Sequence, residues 1–583
     1  MSDGFDKRRM ALRAGFLTGI VMVLFATLLV RFFDIMVTRH DEFRDAARGQ
    51  VRTSRETMAL RGSIRDRLGR NLALTRAHPS VAVDPSQIDP EDREAVAARL
   101  SAALGLPRAT VLEQLGKDAC FRWLARQITD PRVLERLPAL DGCGVEVREE
   151  LARSHPAGRA GAQLVGFTDV DGRGLSGLEL AFDPLLAPHF GRRSLLRDGR
   201  ARLMHPPVED GGTRPGRDGV DVVLAMDLTI QTFVEEALDR AVAAWQPVSA
   251  VAVVLDPRNG DVLAIASRPT FDPGLRKNVR AETTRIRAVT DSFEIGSSMK
   301  PLVAAAALDA GLVGVTEIID CTSDGSYRIG KRTLHDHHPL GKLSVADVVV
   351  KSSNIGMAQI AGKLGIDRTY RLLRTLGFGR TTGSGLPGEV AGRVTERAKW
   401  TEAYTLASVS MGHEIAVTPL QFASAFSALV ADGVLYRPRV VLRVGDREVP
   451  PAPLRQVYRR DVTRNVMAPI LSRVVTEGTG TKAAVPGYTV GGKTGTAQVL
   501  ARGGVAGYVA SFIGVAPMES PRFTVLVLLD RPRRDQGTPY GGTCAAPCVA
   551  EILARCLGYA EVPPSRPACG GQPAVRSQHV EGE

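Results

Sequence analysis

The chain has 583 residues, too many for one ordinary domain, and its 44% apolar and 24% charged content is that of a folded protein with a large core. A net charge of +12 raises nucleic acid as a partner, yet the 75 basic residues, 11 of them lysine, are scattered, with no dense Lys/Arg block, zinc-ligand spacing or aromatic-basic ribbon. Nucleic-acid binding is excluded on that ground, and the charge is left with attraction to an anionic membrane or wall surface. Seven cysteines without a C-x-x-C exclude a small disulfide scaffold and a structural metal site. They leave open whether Cys120 pairs with Cys143, or Cys544 with Cys548.

Lys7, Arg8, Arg9 and Arg13 precede an uncharged, mostly apolar run from Ala14 to Val30. Its 17 residues span about 26 Å as a helix, near the lower limit for crossing a bilayer. Phe32 and Phe33 extend the stretch into the interface, so a transmembrane helix is expected over 14–33. The positive-inside rule places residues 1–13 in the cytoplasm and the rest outside. A cleaved signal peptide is the alternative, but Arg31-Phe32-Phe33-Asp34 stands where an A-x-A-like site belongs, so the segment reads as an anchor.

Residues 34–215 form a first external domain, with helical stretches at Glu91–Leu104 and Pro131–Leu140 and a strand-like Val81-Ala82-Val83. Pro206–Gly216, rich in Pro and Gly, reads as a linker. A second domain over 216–562 opens with a strand at Val220–Ala225 and a helix at Leu228–Ala244. Val251–Leu255 and Val262–Ala266 flank Asp256-Pro257-Arg258-Asn259-Gly260, a hairpin pattern, and Phe523–Asp530 is an apolar strand. Helices and strands without a βαβ rhythm imply a mixed α/β domain around an antiparallel sheet. Residues 563–583, rich in Pro, Gly and Ser, read as a disordered tail.

Three short motifs fall in order inside the second domain. Ser297-Ser298-Met299-Lys300 precedes an apolar helical run, so Lys300 shares a face with Ser297. A hydroxyl is a poor nucleophile at neutral pH without a neighbouring base, and a desolvated lysine near another positive charge can serve. Ser352-Ser353-Asn354 offers a hydroxyl for proton relay and an amide for substrate. Lys493-Thr494-Gly495-Thr496 reads as a strand whose positive charge and threonine hydroxyls suit a carboxylate, with Gly495 letting a substrate backbone approach closely. Singly, these are a helix cap with a solvated lysine, a polar turn and an edge strand. Together, each pattern occurs once and in one order.

That set resembles the penicillin-binding proteins and class A β-lactamases. Arg61-Gly62-Ser63-Ile64-Arg65-Asp66-Arg67 and Gly174-Leu175-Ser176-Gly177-Leu178-Glu179 resemble pedestal-domain signatures of the class B branch, and Val417-Thr418-Pro419-Leu420-Gln421 is similar to a further family stretch. Phe293-Glu294-Ile295-Gly296 looks most like the cell-division branch. The resemblance implies a transpeptidase domain with a central antiparallel sheet flanked by helices, an elongated α+β pedestal and one membrane helix. It implies a D,D-transpeptidase that cross-links stem peptides during septal wall synthesis and is trapped by β-lactams. Ser297 would be the nucleophile and Lys300 its base, with Ser352 and Lys493 sharing the proton network. Asn354, Thr494, Gly495 and Thr496 would bind substrate, and backbone N–H groups of Ser297 and Thr496 would form the oxyanion hole. No cofactor or metal is implied. The implied partners are stem peptides ending in D-Ala-D-Ala, β-lactams, a membrane glycan polymerase and other division proteins. Ile295 departs from the proline common in the family, and Ala497-Gln498-Val499-Leu500 lacks a lysine often found there.

Several rivals are weighed against this reading. Gly487–Thr494 fits G-x-x-x-x-G-K-[ST] letter for letter, but Tyr488-Thr489-Val490 is strand-like inside the would-be loop and Gly495 falls where a helix must start. Gly412-His413-Glu414 and His335-Asp336-His337-His338 lack the H-E-x-x-H spacing of a zinc helix; a solvent-facing loop is the better account of the histidine cluster. No G-x-S-x-G occurs, so an α/β-hydrolase elbow is not supported. A hydrolase on the same chemistry, an elongation-type transpeptidase, and an idle membrane scaffold or β-lactam sensor complete the alternatives.

Overall fold

The computed structural model describes residues 3–117, 119–140, 144–197, 203–204, 214–275, 279–501, 504–533 and 539–565. Cys143, most of the expected linker and the tail from 566 onward lie outside the described residues. The chain divides into two compact units, one of residues 1–60 with 188–218 and one of residues 61–187 with 219–583.

In the first unit, Leu, Val, Ile and Phe dominate the long helix α1 (Asp3–Phe33). Phe16, Val21, Leu24, Phe25 and Leu28 all lie open on it, and no residue of its most apolar window is buried. A helix apolar on every side and uncovered by protein is one whose surface suits hydrocarbon rather than water. A π-helical turn, Asp34–Thr38, follows, and Arg31 pairs with Asp34 at 2.9 Å across the junction. The unit also holds a three-stranded sheet of Arg52–Thr57, Gly191–Arg197 and Leu203–Met204.

The second unit begins with two long antiparallel strands, β1 (Asn71–Val83) and β2 (Val145–Ser154). Val81 and Val83 of β1 face a small core with Leu100 of helix α2 (Arg93–Leu104), Val111 and Leu115. At the other end of the strands a buried ionic cluster joins segments far apart in sequence. Glu179 accepts from Arg61 Nε at 2.7 Å and from Arg153 Nε at 2.6 Å, and Arg61 Nη1 reaches Asp183 at 2.7 Å. All three side chains of the Arg–Glu–Arg triad are at most 4% exposed. The two stretches with pedestal-like signatures therefore meet in one ion network.

The larger part of this unit is built on a five-stranded sheet. Strands β3 (Ser249–Asp256), β4 (Asp261–Arg268), β5 (Gly491–Ala501), β6 (Gly504–Ala516) and β7 (Phe523–Asp530) run in the order β4-β3-β7-β6-β5, every neighbouring pair antiparallel. Alternation decides its two faces. Val251, Val253 and Leu255 enter one core, whereas Ala250, Ala252 and Val254 enter the other. The second core is covered by α3 (Leu228–Trp245) and α6 (Ala546–Tyr559), through Val234, Leu238, Val549 and Leu553. The first contains α4 (Lys300–Asp309) and α5 (Asn354–Leu364), through Leu302, Val303, Ile355 and Met357. Strand β5 ends the order, so one of its edges has no strand partner among the described residues. Lys493 lies within β5, paired with Ile513, and no helix starts there, which rules out the phosphate-loop geometry.

Candidate active site

Ser297 sits in a 3-10 turn, Gly296–Met299, that runs directly into α4 at Lys300. In a 3-10 turn residues i and i+3 eclipse, which keeps serine and lysine on one side. Pro301 fits the first turn of α4 because the N–H it lacks has no partner there. Ser297 is half-buried and Lys300 is 0% exposed. The ammonium does not engage Ser297: it donates to Ser352 O at 2.5 Å, Asn354 Oδ1 at 2.8 Å and Ser352 Oγ at 3.3 Å. Among the described residues no hydrogen bond joins the Ser297 hydroxyl to Lys300. Catalytic contacts of this kind commonly tighten only when substrate is bound.

The second motif connects two helices. Val345–Lys351 ends at Ser352, whose φ of +63° is left-handed, and Ser353 caps α5 by accepting from Gly356 N–H at 2.9 Å. The reversal aims both the carbonyl and the hydroxyl of Ser352 at the lysines. From the far side Lys493 Nζ donates to Ser352 Oγ at 2.9 Å. Lys493 is also 0% exposed, and its nitrogen lies 3.2 Å from Thr494 Oγ1. Thr494 Oγ1 in turn shares a 2.8 Å hydrogen bond with Thr479 Oγ1, and Thr496 Oγ1 accepts from Gly541 N–H at 3.3 Å.

Gly495 is closely packed by the protein itself. A Cβ there would meet Ser511 Oγ at 2.5 Å, Ser298 Oγ at 2.6 Å and Ile295 O at 2.7 Å. The missing side chain lets β5 pack against Ser511 of β6 and against Ile295 and Ser298 beside the serine turn. Gly296, at φ +55°, backs onto Thr496, where a Cβ would come within 2.7 Å of the carbonyl oxygen. Strand β5 and the serine turn are thus pressed together backbone to backbone.

The electrostatics follow from burial. Loss of water pulls the Lys300 pKa down to about 7, against the opposing pull of Asp336 and Cys321. Burial holds Lys493 well below the ordinary lysine range, and the neighbouring Lys300 charge pushes it further the same way. Among the described residues no carboxylate hydrogen-bonds to either nitrogen, so two potential cations share one serine hydroxyl.

Three supporting residues escaped sequence reasoning. Asp336 accepts from Ser353 Oγ at 2.6 Å, from Asn354 N–H, and from Ile355 N–H at 3.3 Å. Its neighbours His335, His337 and His338 are exposed, as expected for a polar loop, but Asp336 itself is half-buried against the second motif. Glu294 hydrogen-bonds to His413 Nδ1 at 2.9 Å and accepts from Glu414 N–H at 3.0 Å. Burial pushes the Glu294 carboxyl up, but the His413 contact and the Glu414 amide hold it below its usual value. The Gly412-His413-Glu414 stretch therefore braces the approach to Ser297, with Gly296 N–H donating to Gly412 O at 3.2 Å. Thr479 is the third. Cys544 and Cys548 are free, buried thiols whose pKa burial raises to about 12.

Comparison with known proteins places the chain in a family. Residues 250–554 match the family model of the penicillin binding protein transpeptidase domain, and residues 56–224 that of the penicillin-binding protein dimerisation domain. The chain is 33% identical over 561 residues to a probable peptidoglycan D,D-transpeptidase, PenA, of Neisseria meningitidis, covering 95% of this chain and 94% of the relative. It is 31% identical to the peptidoglycan D,D-transpeptidase FtsI of Escherichia coli, with 95% and 92% covered. Among solved structures, penicillin binding protein 3 of Mycobacterium tuberculosis, complexed with aztreonam, superposes with a TM-score of 0.66 at 28% identity, covering 88% of this chain and 99% of that one.

Proposed function

The chain belongs to the class B penicillin-binding proteins, the serine-dependent peptidoglycan D,D-transpeptidases, and from that premise we propose how its own residues divide the work. Ser297 is the nucleophile. Neutral Lys300 takes its proton as Oγ attacks the penultimate D-Ala carbonyl of a stem peptide, and backbone N–H groups of Ser297 and Thr496 receive the oxyanion. The C–N bond to the terminal D-Ala then breaks, and that amine leaves with a proton relayed through Ser352 between Lys300 and Lys493. Thr494 and Thr496 hold the terminal carboxylate, and Asn354 holds a substrate amide. The stem peptide lies along the free edge of β5, where Gly495 lets the strand run close to the serine. An amine of a second stem peptide attacks the acyl-serine ester and completes the cross-link. In a β-lactam the broken amide remains tethered, so the ester persists.

The observation that carries this reading is the Ser352 hydroxyl held between two fully buried lysine nitrogens, at 3.3 Å and 2.9 Å, from segments 52 and 141 residues away in sequence. Buried lysines with shifted proton affinity are costly to a fold and mark functional sites.

The reading extends to place and partners. The bare apolar helix anchors the chain once in the cytoplasmic membrane, residues 1–13 inside, with 14–33 spanning, a pedestal over 34–215 and the catalytic domain over 216–562 outside. Similarity to FtsI supports septal wall synthesis, in company with a membrane glycan polymerase and other division proteins, since no glycosyltransferase motif is recognised in the pedestal. The test is to label the full chain in detergent with a fluorescent penicillin and map the adduct by peptide mass spectrometry. One long-lived adduct on Ser297, lost in Ser297→Ala, is expected. Rapid turnover points to a hydrolase, and labelling that survives the alanine change overturns the assignment.

A further inference from the structure

We propose that Asp336 is a positioning residue of this active site, whose carboxylate fixes the Ser352–Asn354 turn and supplies a counter-charge to the buried Lys300. The proposal rests on the reading of Lys300 as the acylation base. Its first support is geometric. One carboxylate gathers the Ser353 hydroxyl at 2.6 Å, the Asn354 amide and the Ile355 amide at 3.3 Å, which places a negative charge on the first turn of α5. The preceding residue joins in, since Asn354 Nδ2 donates to His335 O at 3.0 Å. Asn354 is thereby held by its main chain and its side chain while Oδ1 receives Lys300. Ser352, in the left-handed region at φ +63°, is a strained non-glycine position that persists only if its surroundings impose it. The Asp336 contacts begin at the next residue.

The second support is the distribution of charge. Lys300 touches only neutral oxygens, Lys493 adds a second positive charge, and Asp336 is the foremost acidic group acting on Lys300. The titratable groups beside this point include Cys321, a buried thiol that lies beside Ser353 and Asp336, with Asp320 directly before it in the chain, and the exposed His335 and His337 flanking Asp336. His335 Nδ1 is hydrogen-bonded to Ser326 Oγ at 3.1 Å and His337 rests its ring against Tyr540, with centroids 6.1 Å apart. Neither histidine takes the place of Asp336 at the turn. Negative charge near a buried lysine favours the ammonium, so Asp336 keeps the proton affinity of Lys300 from falling as far as burial alone would take it. A base titrating near working pH both accepts a proton from serine and returns one to the leaving amine.

The test is the pH dependence of penicillin acylation between pH 5 and 9, for the full chain in detergent, with Asp336→Asn and Asp336→Glu. Asp336→Asn is expected to move the acylation limb to lower pH by on the order of one unit and to cut the plateau rate at least about tenfold. Asp336→Glu keeps the charge and is expected to hold the wild-type midpoint with a reduced plateau. A purely structural role would lower rate and melting temperature together and leave the midpoint in place. An unmoved midpoint in Asp336→Asn, or a Glu variant shifted as far as the Asn variant, overturns the proposal. Absence of any limb in the wild type removes the base reading itself and this proposal with it.

Discussion

Acylation should switch on with the loss of a single proton near neutrality. With the Lys300 pKa at about 7, the neutral amine makes up about 90% of the population at pH 8, about 10% at pH 6 and about 1% at pH 5. If that amine takes the Ser297 proton, the second-order rate constant for penicillin acylation falls about tenfold from pH 8 to 6, and about a hundredfold to pH 5. The apparent midpoint belongs to Lys300 and Lys493 jointly, because the charge of one depresses the other. The assay is time-resolved labelling with a fluorescent penicillin, whose carboxylate is ionised throughout. The same shift has a sign in stability. The folded pKa of Lys300 lies below its unfolded value of 10.5, so between about 7 and 10.5 the unfolded state binds more protons. This group's burial cost is full below about pH 7 and fades as pH rises through that window, adding stability by up to about 1.4 kcal/mol per unit. A rate flat from pH 5 to 8, or a limb in the ordinary lysine range, refutes the assignment of Lys300 as base.

Glu179→Gln strips the charge that pairs Arg61 and Arg153, both almost wholly buried, and should cost about 3–5 kcal/mol in urea unfolding; a loss below about 1 kcal/mol shows that the triad is not a structural node. Gly495→Ala drives a methyl into Ser298, Ser511 and Ile295, and should displace the serine turn enough to slow acylation about a hundredfold while the fold melts normally. Unchanged acylation would mean that the turn yields without cost. Cys544, Cys548 and Cys556, with pKa values pushed to about 12, should resist maleimide at pH 8 in the native protein while exposed Cys120 reacts, as read by peptide mass spectrometry.

Periodicity carried the sequence a long way. The bare helix at 14–33, the helix beginning at Leu228, the hairpin around Asp256–Gly260 and the strand Phe523–Asp530 all stand where apolar spacing put them, because each is decided by which face is buried. Helix is likewise found within 131–140, but it breaks after Leu134 and resumes as a 3-10 turn, Leu137–Ala139. The three motifs, singled out because their residue types are chemically demanding, come together in space around Ser352. What stayed hidden were contacts made by ordinary residues over long separations. Glu179 lies 118 residues from Arg61, and His413 lies 119 from Glu294. Asp336, only 17 residues before Ser353, was obscured by three histidines that drew the eye to metal. Gly495 was expected to let a substrate backbone approach, and a glycine carries no mark of which of the protein's own atoms will pack against it. Nor does the Ser-x-x-Lys spacing tell that the lysine, in this structure, turns from serine toward Ser352.

The shared burial of Lys300 and Lys493 has a calorimetric corollary. Both nitrogens hold protons poorly because water has been taken from them. A ligand carboxylate settling beside Thr494 and Lys493 brings the negative charge that makes protonation favourable again, so binding near neutral pH draws protons out of the solvent. In titration calorimetry of Ser297→Ala with a carboxylate ligand, the observed heat must then vary with the ionisation enthalpy of the buffer, and affinity must strengthen as pH falls. On that reasoning, the pH expected to favour binding of such a ligand is one at which acylation is expected to be slow.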